Sequence, residues 1–180
     1  MPAFLLDLRD RLNAAGDWLL PTLARLVFAG ALFWYFWNSA LTKIEGSPFT
    51  LSLGAYAQIF PNAVEAAGYD LSQLTALHTL IALAGTWAEF LLPLAIVFGL
   101  LTRLAALGMM GFVAVQTTVD VTGHGAELGA WFDRAQGLAD ERAFWLLALL
   151  VLVLKGAGPL SADRLLFGGQ PRFQPSVSAP

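Results

Sequence analysis

The chain has 180 residues, of which 57% are hydrophobic and 13% are charged, and its formal net charge at pH 7 is −3. Soluble domains average about 45–50% apolar and about 25% charged residues, so this composition indicates an integral membrane protein; no basic run suggests a nucleic-acid partner. The absence of cysteine excludes disulfides and thiolate metal sites within the chain, so any thiol chemistry would belong to a partner.

The N-terminal segment, residues 1–17, alternates charges with apolar residues at helical spacing. The apolar positions are Phe4, Leu5, Leu8 and Leu12. This pattern predicts a cytoplasmic amphipathic helix lying at the membrane interface. The first membrane span is expected from Trp18 to Trp37, because aromatic residues are enriched where a span meets the two interfaces.

Three further apolar segments follow, at residues 74–101, 104–121 and 142–158. Crossing a bilayer takes roughly 20 apolar residues, and short connections force neighbouring helices to be antiparallel. Between the first two spans, a second stripe should form an interfacial helix that stops before Pro61; its members are Phe49, Leu53, Tyr56, Ala57 and Phe60. The predicted fold is an all-α integral membrane four-helix up-and-down bundle over residues 18–167, with interfacial amphipathic helices and a disordered tail at 168–180.

The distribution of cations predicts the orientation of this bundle. With four spans, both termini lie on one side of the membrane. Six cations fall on that side, namely Arg9, Arg11, Arg103, Lys155, Arg164 and Arg172, against Lys43, Arg134 and Arg142 on the other. Because cytoplasmic loops carry the excess of Lys and Arg, both termini are predicted to be cytoplasmic in a multi-pass protein of the membrane.

Two full charges, Arg25 and Glu89, fall inside the predicted spans. A charge at the bilayer centre costs on the order of 3 kcal/mol or more, so each is expected to have a partner. At 1.5 Å rise per residue, their depths counted from the cytoplasmic interface differ by roughly 8 Å, which a guanidinium side chain can span. We predict an Arg25–Glu89 ion pair between the first two spans, serving either as a structural contact that fixes helix register or as a polar catalytic site.

Pro93 and His78 extend this candidate site along the second span. Proline lacks an N–H, so the carbonyl of Glu89, four residues earlier, is free to accept a hydrogen bond. Eleven residues separate His78 from Glu89, which returns the helix to within about 20° of the same face. With Gly85 between them, this face is either a ligand slot, for which a quinone head group is the candidate, or a surface for close helix packing.

The outer end of the bundle contains further candidate ligands. His124 follows the third span in a segment with Asp120 and Glu127, and the predicted topology places His78 on the same side. These four side chains could bind a divalent metal, or the histidines could ligate haem. The glycines that flank His124 equally suit an exposed turn, and the ligand spacing matches no specific metal motif.

The segment Trp87–Ala106, which reads WAEFLLPLAIVFGLLTRLAA, resembles the signature of the DoxX family of small four-helix membrane proteins. The first helix with Arg25 and Gly30, the stretch Leu41–Ile44 and the ending Gly156–Arg164 resemble the same family. The resemblance implies a bacterial inner-membrane protein linked to respiratory, redox or stress chemistry. Some relatives form the membrane subunit of a thiosulfate-to-quinone oxidoreductase, although the segment 120–135 is longer here than their typical loop and is more similar to members linked to metal stress.

Two functional hypotheses follow. In the first, the protein is the membrane subunit of a quinone-linked oxidoreductase, in which Arg25 and Glu89 polarise or protonate the quinone head group. In the second, it is a non-enzymatic membrane partner or scaffold for a soluble redox or stress protein, and the ion pair is structural. Lipid is the expected environment in both, and assembly into an oligomer is a further open alternative.

Overall fold

The computed structural model describes residues 2–126 and 141–168, and helices dominate both ranges. In chain order the elements are α1 (Ala3–Ala31), α2 (Phe33–Thr42), β1 (Ile44–Glu45), β2 (Ser47–Leu51), α3 (Leu53–Ile59), α4 (Pro61–Ala66), α5 (Ala76–Phe98), α6 (Thr102–Thr122), α7 (Glu141–Lys155) and α8 (Ala162–Phe167). The predicted all-α class is confirmed. The predicted disordered tail, apart from Gly168, lies outside the described residues.

The first apolar segment is a bent pair of helices. α1 continues without a break past Trp18, so the predicted amphipathic segment and the start of the first span belong to one helix. The chain then bends by 41° between α1 and α2, at Leu32. Because α2 continues to Thr42, the aromatic cluster around Trp37 does not end the helix, and Lys43 follows directly as its C-cap.

The segment between α2 and α4 differs from the single interfacial helix that was predicted. Phe49 lies in β2, which pairs with β1 in a small antiparallel hairpin. Gly46, with φ of +72°, forms the turn, and Ser52 then caps α3 by accepting a hydrogen bond from Ala55 N–H. The predicted helix was wrong over its first part, at Phe49, because the turn at Gly46 and the cap at Ser52 separate this stretch from α3 as a strand.

The second and third predicted spans correspond to α5 and α6, within a few residues at each end. A capping box between Thr75 and His78 begins α5. The helix ends at Gly99, whose φ of +69° is a left-handed conformation that glycine adopts without a Cβ penalty. Leu101 is also left-handed, with φ of +46°, so a tight turn joins the two helices.

The fourth apolar segment is shorter than predicted. α7 ends at Lys155 because Gly156, with φ of +82°, leaves the helical conformation. The residues up to 158, which were expected to extend the span, instead form a turn that leads to the short helix α8. Its first turn is capped by Ser161, whose side chain accepts from Arg164 N–H.

The long helices pack around one apolar core. α1 contacts α5 and α7, α2 contacts α5, and α6 lies between α5 and α7. The largest fully buried apolar side chains in this core are Phe28, Phe36, Ile96, Met109, Leu149 and Leu152. α3 and α4 add a smaller cluster, in which Tyr56 and Val64 pack with Ala82 of α5.

The outer surface of the packed helices is apolar. Leu80 of α5 and Val115 of α6, for example, are 63% and 64% exposed. In the described ranges, α5 and α6 are each long and apolar enough to cross a membrane, and the bent pair α1–α2 qualifies as a third span if it is taken as one. Apolar surface of this extent is unfavourable in water, so these helices form a membrane-embedded protein.

Candidate functional site

Glu89 is buried among the helices, with 4% of its surface exposed, and its partner is Lys43. The Lys43 ammonium lies 2.8 Å from Glu89 Oε2 and 3.0 Å from Oε1. Lys43 itself is only 5% exposed. Both charges are therefore removed from solvent and neutralise each other, which is the arrangement that a buried ion pair requires.

Ser39 completes a three-residue polar cluster with this pair. Its hydroxyl donates to Glu89 Oε1 at 3.1 Å and accepts from the Lys43 ammonium at 2.7 Å. Ser39 and Lys43 are four residues apart at the end of α2, so both side chains project from one face of that helix. The cluster consequently links α2 to the middle of α5.

The predicted Arg25–Glu89 ion pair is wrong. The Arg25 guanidinium instead donates to backbone carbonyls, with Nε 3.0 Å from Ile96 O and Nη2 2.5 Å from Val97 O. Its Nη1 donates to Ala157 O at 3.0 Å and also to Leu160 O. Ile96 O also accepts from Gly99 N–H at 3.1 Å. The last carbonyls of a helix lack i+4 donors, so Arg25 adds hydrogen bonds at the C-terminal end of α5 and does not reach its central acid.

Arg25 belongs to a second polar cluster at the α5–α6 turn. A Cβ added to Gly99 would lie 2.8 Å from Arg25 Cζ and 2.6 Å from Ser161 Cβ, so glycine is required here for space as well as for its φ. Asp163 accepts hydrogen bonds from Leu101 N–H at 2.6 Å and from Thr102 N–H at 2.9 Å, which caps α6. The hydrogen bonds of this cluster connect the end of α5, the start of α6 and the segment after α7.

A cavity of about 170 Å³ lies beside the Lys43–Glu89 pair. Ser39 and Gly85 also line it, and the remaining lining comes from Gln58, Ile59, Phe112, Val115, Gln116, Val119, Asp120 and His124. Gln116 Nε2 donates to the Tyr35 hydroxyl at 3.0 Å. Its buried Oε1, however, has no hydrogen-bond partner in the described part of the chain. The residues that line the cavity thus include a lysine, a glutamate and a glutamine whose amide oxygen is unpaired.

Gly85 is the one member of the predicted ligand slot that lines this cavity together with Glu89. A Cβ at Gly85 would lie 3.8 Å from Ile59 Cδ1, so its small size contributes space. His78 instead caps α5, with Nδ1 3.2 Å from Thr75 N, and its ring packs edge-on against Phe60. Pro93 is buried in α5 and is not among the lining residues.

The residues proposed as metal or haem ligands make other contacts. Asp120 pairs with Arg142 at 2.7 Å, and His124 Nε2 lies 3.0 Å from the carbonyl of Gln58. Glu127 lies outside the described residues. Across residues 2–126 and 141–168, no group of three or more His, Cys, Asp or Glu side chains is arranged to hold a metal ion. Asp120 and His124 instead form one wall of the cavity above Glu89.

Lys43, Ser39 and Gln116 are the site residues that sequence reasoning missed. Ending the first span at the aromatic cluster places Lys43 outside it, on the outer side of the membrane. A signal was present: Ser39 and Lys43 form a polar i,i+4 pair at the end of an apolar helix, as expected for a polar face turned toward a partner.

Apolar helices with exposed hydrophobic faces, packed around a buried ion pair, define a helical integral membrane protein. The family model for DoxX matches residues 20–125, which is more than half of the chain. The chain therefore belongs to the DoxX family. No curated protein and no solved structure matches it.

Proposed function

We propose that this DoxX-family protein is a multi-pass subunit of the bacterial inner membrane that binds a quinone head group in the Glu89 cavity and takes part in quinone-linked electron transfer. The observation that carries the proposal is that the buried Lys43–Glu89 pair lines a cavity that is also lined by Gln116, whose Oε1 has no partner among the described residues. A pair that served only packing would need neither the open space nor the unused acceptor.

The lining residues fit the two forms of such a ligand. The Lys43 ammonium already donates to Ser39 Oγ and to both Glu89 oxygens, so it would reach a quinone carbonyl by exchanging one of these bonds. A quinol presents hydroxyl donors, which Gln116 Oε1 can accept. Reduction of a quinone takes up two electrons and two protons. Glu89 can hold and transfer a proton at its Oε atoms while Lys43 offsets the carboxylate charge. The electrons would come from a partner redox protein or from a reduced substrate. Arg25, with its donors committed to carbonyls, acts as a structural residue in this proposal.

The experiment that tests this function is titration of the purified protein in detergent with a short-chain ubiquinone analogue. Glu89→Gln keeps the size of the side chain but removes its charge and its exchangeable proton, so we expect the folded fraction to bind quinone about tenfold or more weakly. The variant should also be less stable, because the buried Lys43 ammonium loses its counter-charge. Glu65→Gln, at an exposed acid in α4, is the matched control and should bind like the wild type. Failure of the wild type to bind any quinone would rule out the electron-transfer function.

A second candidate function is that of a non-enzymatic membrane scaffold for a soluble redox or stress protein. It is favoured by the internal completeness of the cluster, because Lys43, Ser39 and Glu89 satisfy one another without any ligand. In that case Glu89→Gln would change stability and leave partner-dependent activity intact in the folded fraction. The same quinone titration separates the two candidates.

The proposed topology has four spans, formed by α1–α2, α5, α6 and α7, with both termini cytoplasmic. It is supported by the excess of cations on the side of the α5–α6 turn and of the segment after α7. Because the chain has no cysteine, single cysteines can be introduced without background labelling. A cysteine at Ser47 should react with an impermeant maleimide from the periplasm, and one at Gly168 should react only after the membrane is opened. The reverse pattern would contradict the orientation.

A further inference from the structure

A second and larger cavity, of about 610 Å³, opens at the other end of the helices, away from the Glu89 site. It lies between the start of the first apolar segment at Trp18, the α5–α6 turn and the segment from the end of α7 through α8. In the proposed topology this is the cytoplasmic end of the protein. This cavity shares no lining residue with the Glu89 cavity, so a ligand here does not depend on the quinone proposal.

The charges around this cavity are unbalanced toward positive. Arg103, Lys155 and Arg164 line it, together with the acids Asp17 and Asp163. Lys155 pairs with Asp17 at 2.8 Å. Asp163 already accepts two backbone N–H groups at the start of α6, so both acids are engaged.

With three cations against two acids, the lining carries one net positive charge. Neither the Arg103 nor the Arg164 guanidinium forms an ion pair within residues 2–126 and 141–168. Both side chains belong to exposed residues at the cavity mouth. Guanidinium groups bind phosphate oxygens through two parallel N–H donors, so a pair of free arginines at one cavity is suited to a phosphate group.

A buried hydroxyl next to the cavity lacks a hydrogen-bond partner among the described residues. Thr102 lines the cavity and is 0% exposed, yet its Oγ1 has no hydrogen-bond partner among the described residues. Buried hydroxyls are nearly always hydrogen-bonded, because leaving one unsatisfied is unfavourable. Because this hydroxyl has no exposed surface, an anion oxygen in the cavity would become its acceptor only after a local shift of the Thr102 side chain.

The rim of the cavity is apolar. Trp18, Leu101, Leu104 and Phe167 line it and are 53%, 51%, 66% and 56% exposed. Apolar side chains do not bind a small soluble anion. They can pack against the acyl chains that extend from a lipid phosphate. Cations directly above exposed apolar residues are the arrangement by which membrane proteins hold anionic lipids of the inner leaflet.

We propose that this cavity is a binding site for an anionic phospholipid, in which Arg103 and Arg164 hold the phosphate, Thr102 donates to it, and the apolar rim contacts the acyl chains. The lipid would fill the space between the first span, the α5–α6 turn and α8. Lipids and soluble phosphate share the phosphate group that the arginines would bind, and the apolar rim favours the lipid.

The test is titration of the full chain in a neutral detergent with dihexanoyl phosphatidylglycerol, dihexanoyl phosphatidylcholine and inorganic phosphate. We expect the phosphatidylglycerol to bind and inorganic phosphate at equal concentration not to displace it. The double change Arg103→Gln and Arg164→Gln should weaken its binding at least about tenfold. Arg9→Gln with Arg11→Gln, which removes the same charge from exposed positions of α1, is the matched control and should bind like the wild type.

Thr102→Val keeps the shape of the side chain and removes only the unsatisfied hydroxyl, so it should fold and lose about fivefold in affinity. If the double arginine variant does not fold, this variant decides alone. Equal binding of the two lipids, unchanged binding in the arginine or threonine variant, or full displacement by inorganic phosphate would each overturn the proposal, and the last result would assign a soluble phosphate instead.

Discussion

Replacing Lys43 with methionine is expected to lower the free energy of unfolding by about 3–5 kcal/mol, because it leaves the Glu89 carboxylate buried without a counter-charge. Lys43 and Glu89 are 5% and 4% exposed, so solvent cannot compensate for the lost ammonium. Unfolding in mixed micelles with increasing denaturing detergent, followed by helical circular dichroism, measures the effect. Lys155→Met is the matched control: its pair with Asp17 is half-exposed, with both side chains at 45%, and should contribute about 1 kcal/mol or less.

The double change Lys43→Met with Glu89→Leu removes both charges together and should recover most of that loss, since a buried ion pair replaced by apolar residues of similar size is often neutral. Equal effects of Lys43→Met and Lys155→Met would contradict the burial of the pair. Losses that simply add in the double variant would contradict the contact between Lys43 and Glu89.

Arg25→Met is the second change with a large expected effect, again about 3–5 kcal/mol. The guanidinium donates to four backbone carbonyls, at Ile96, Val97, Ala157 and Leu160, and each hydrogen bond from a charged group contributes about 1.5–3 kcal/mol when considered alone. The sum is not additive, and three of the four hydrogen bonds are partly buried while the one to Leu160 O is exposed. The same unfolding measurement in micelles applies.

Arg25→Lys should recover little of this stability, because an ammonium cannot reproduce the fork of donors that reaches α5 and the segment after α7 together. Arg9→Met, at an exposed position of α1 whose pair with Asp10 is also exposed, serves as the control and should change stability by less than about 0.5 kcal/mol. An Arg25→Met protein as stable as this control would show that the carbonyl contacts do not hold the helices together.

Much of the architecture was predictable because its causes are local. The bounds of α5 and α6 follow from apolar length and from the left-handed Gly99, and the need for a partner at Glu89 follows from the cost of a charge in hydrocarbon. The hairpin containing Phe49 was missed because its strands are too short to show an alternating pattern. Only the turn signals at Gly46 and Ser52 mark it in the sequence.

The partner of Glu89 could not be identified from depth alone. Depth counted from the cytoplasmic end favours Arg25, and a first span that ends at Trp37 leaves Lys43 outside the membrane. Because α2 runs on past the aromatic cluster and a lysine stem is long and flexible, the ammonium reaches the central acid from the opposite end. Arg25 donates to backbone carbonyls at a helix end. Matching opposite charges along the sequence cannot predict such contacts, because carbonyls carry no charge.

The quinone-binding function is tested most directly by locating a bound quinone. A photoreactive azidoquinone is irradiated with the purified protein, and the labelled peptides are mapped by mass spectrometry. We expect labelling on cavity-lining residues such as Gln116, Val119 and His124, which excess unlabelled quinone suppresses and Glu89→Gln weakens. Labelling confined to lipid-facing positions such as Leu80, without competition by unlabelled quinone, would contradict the proposed site.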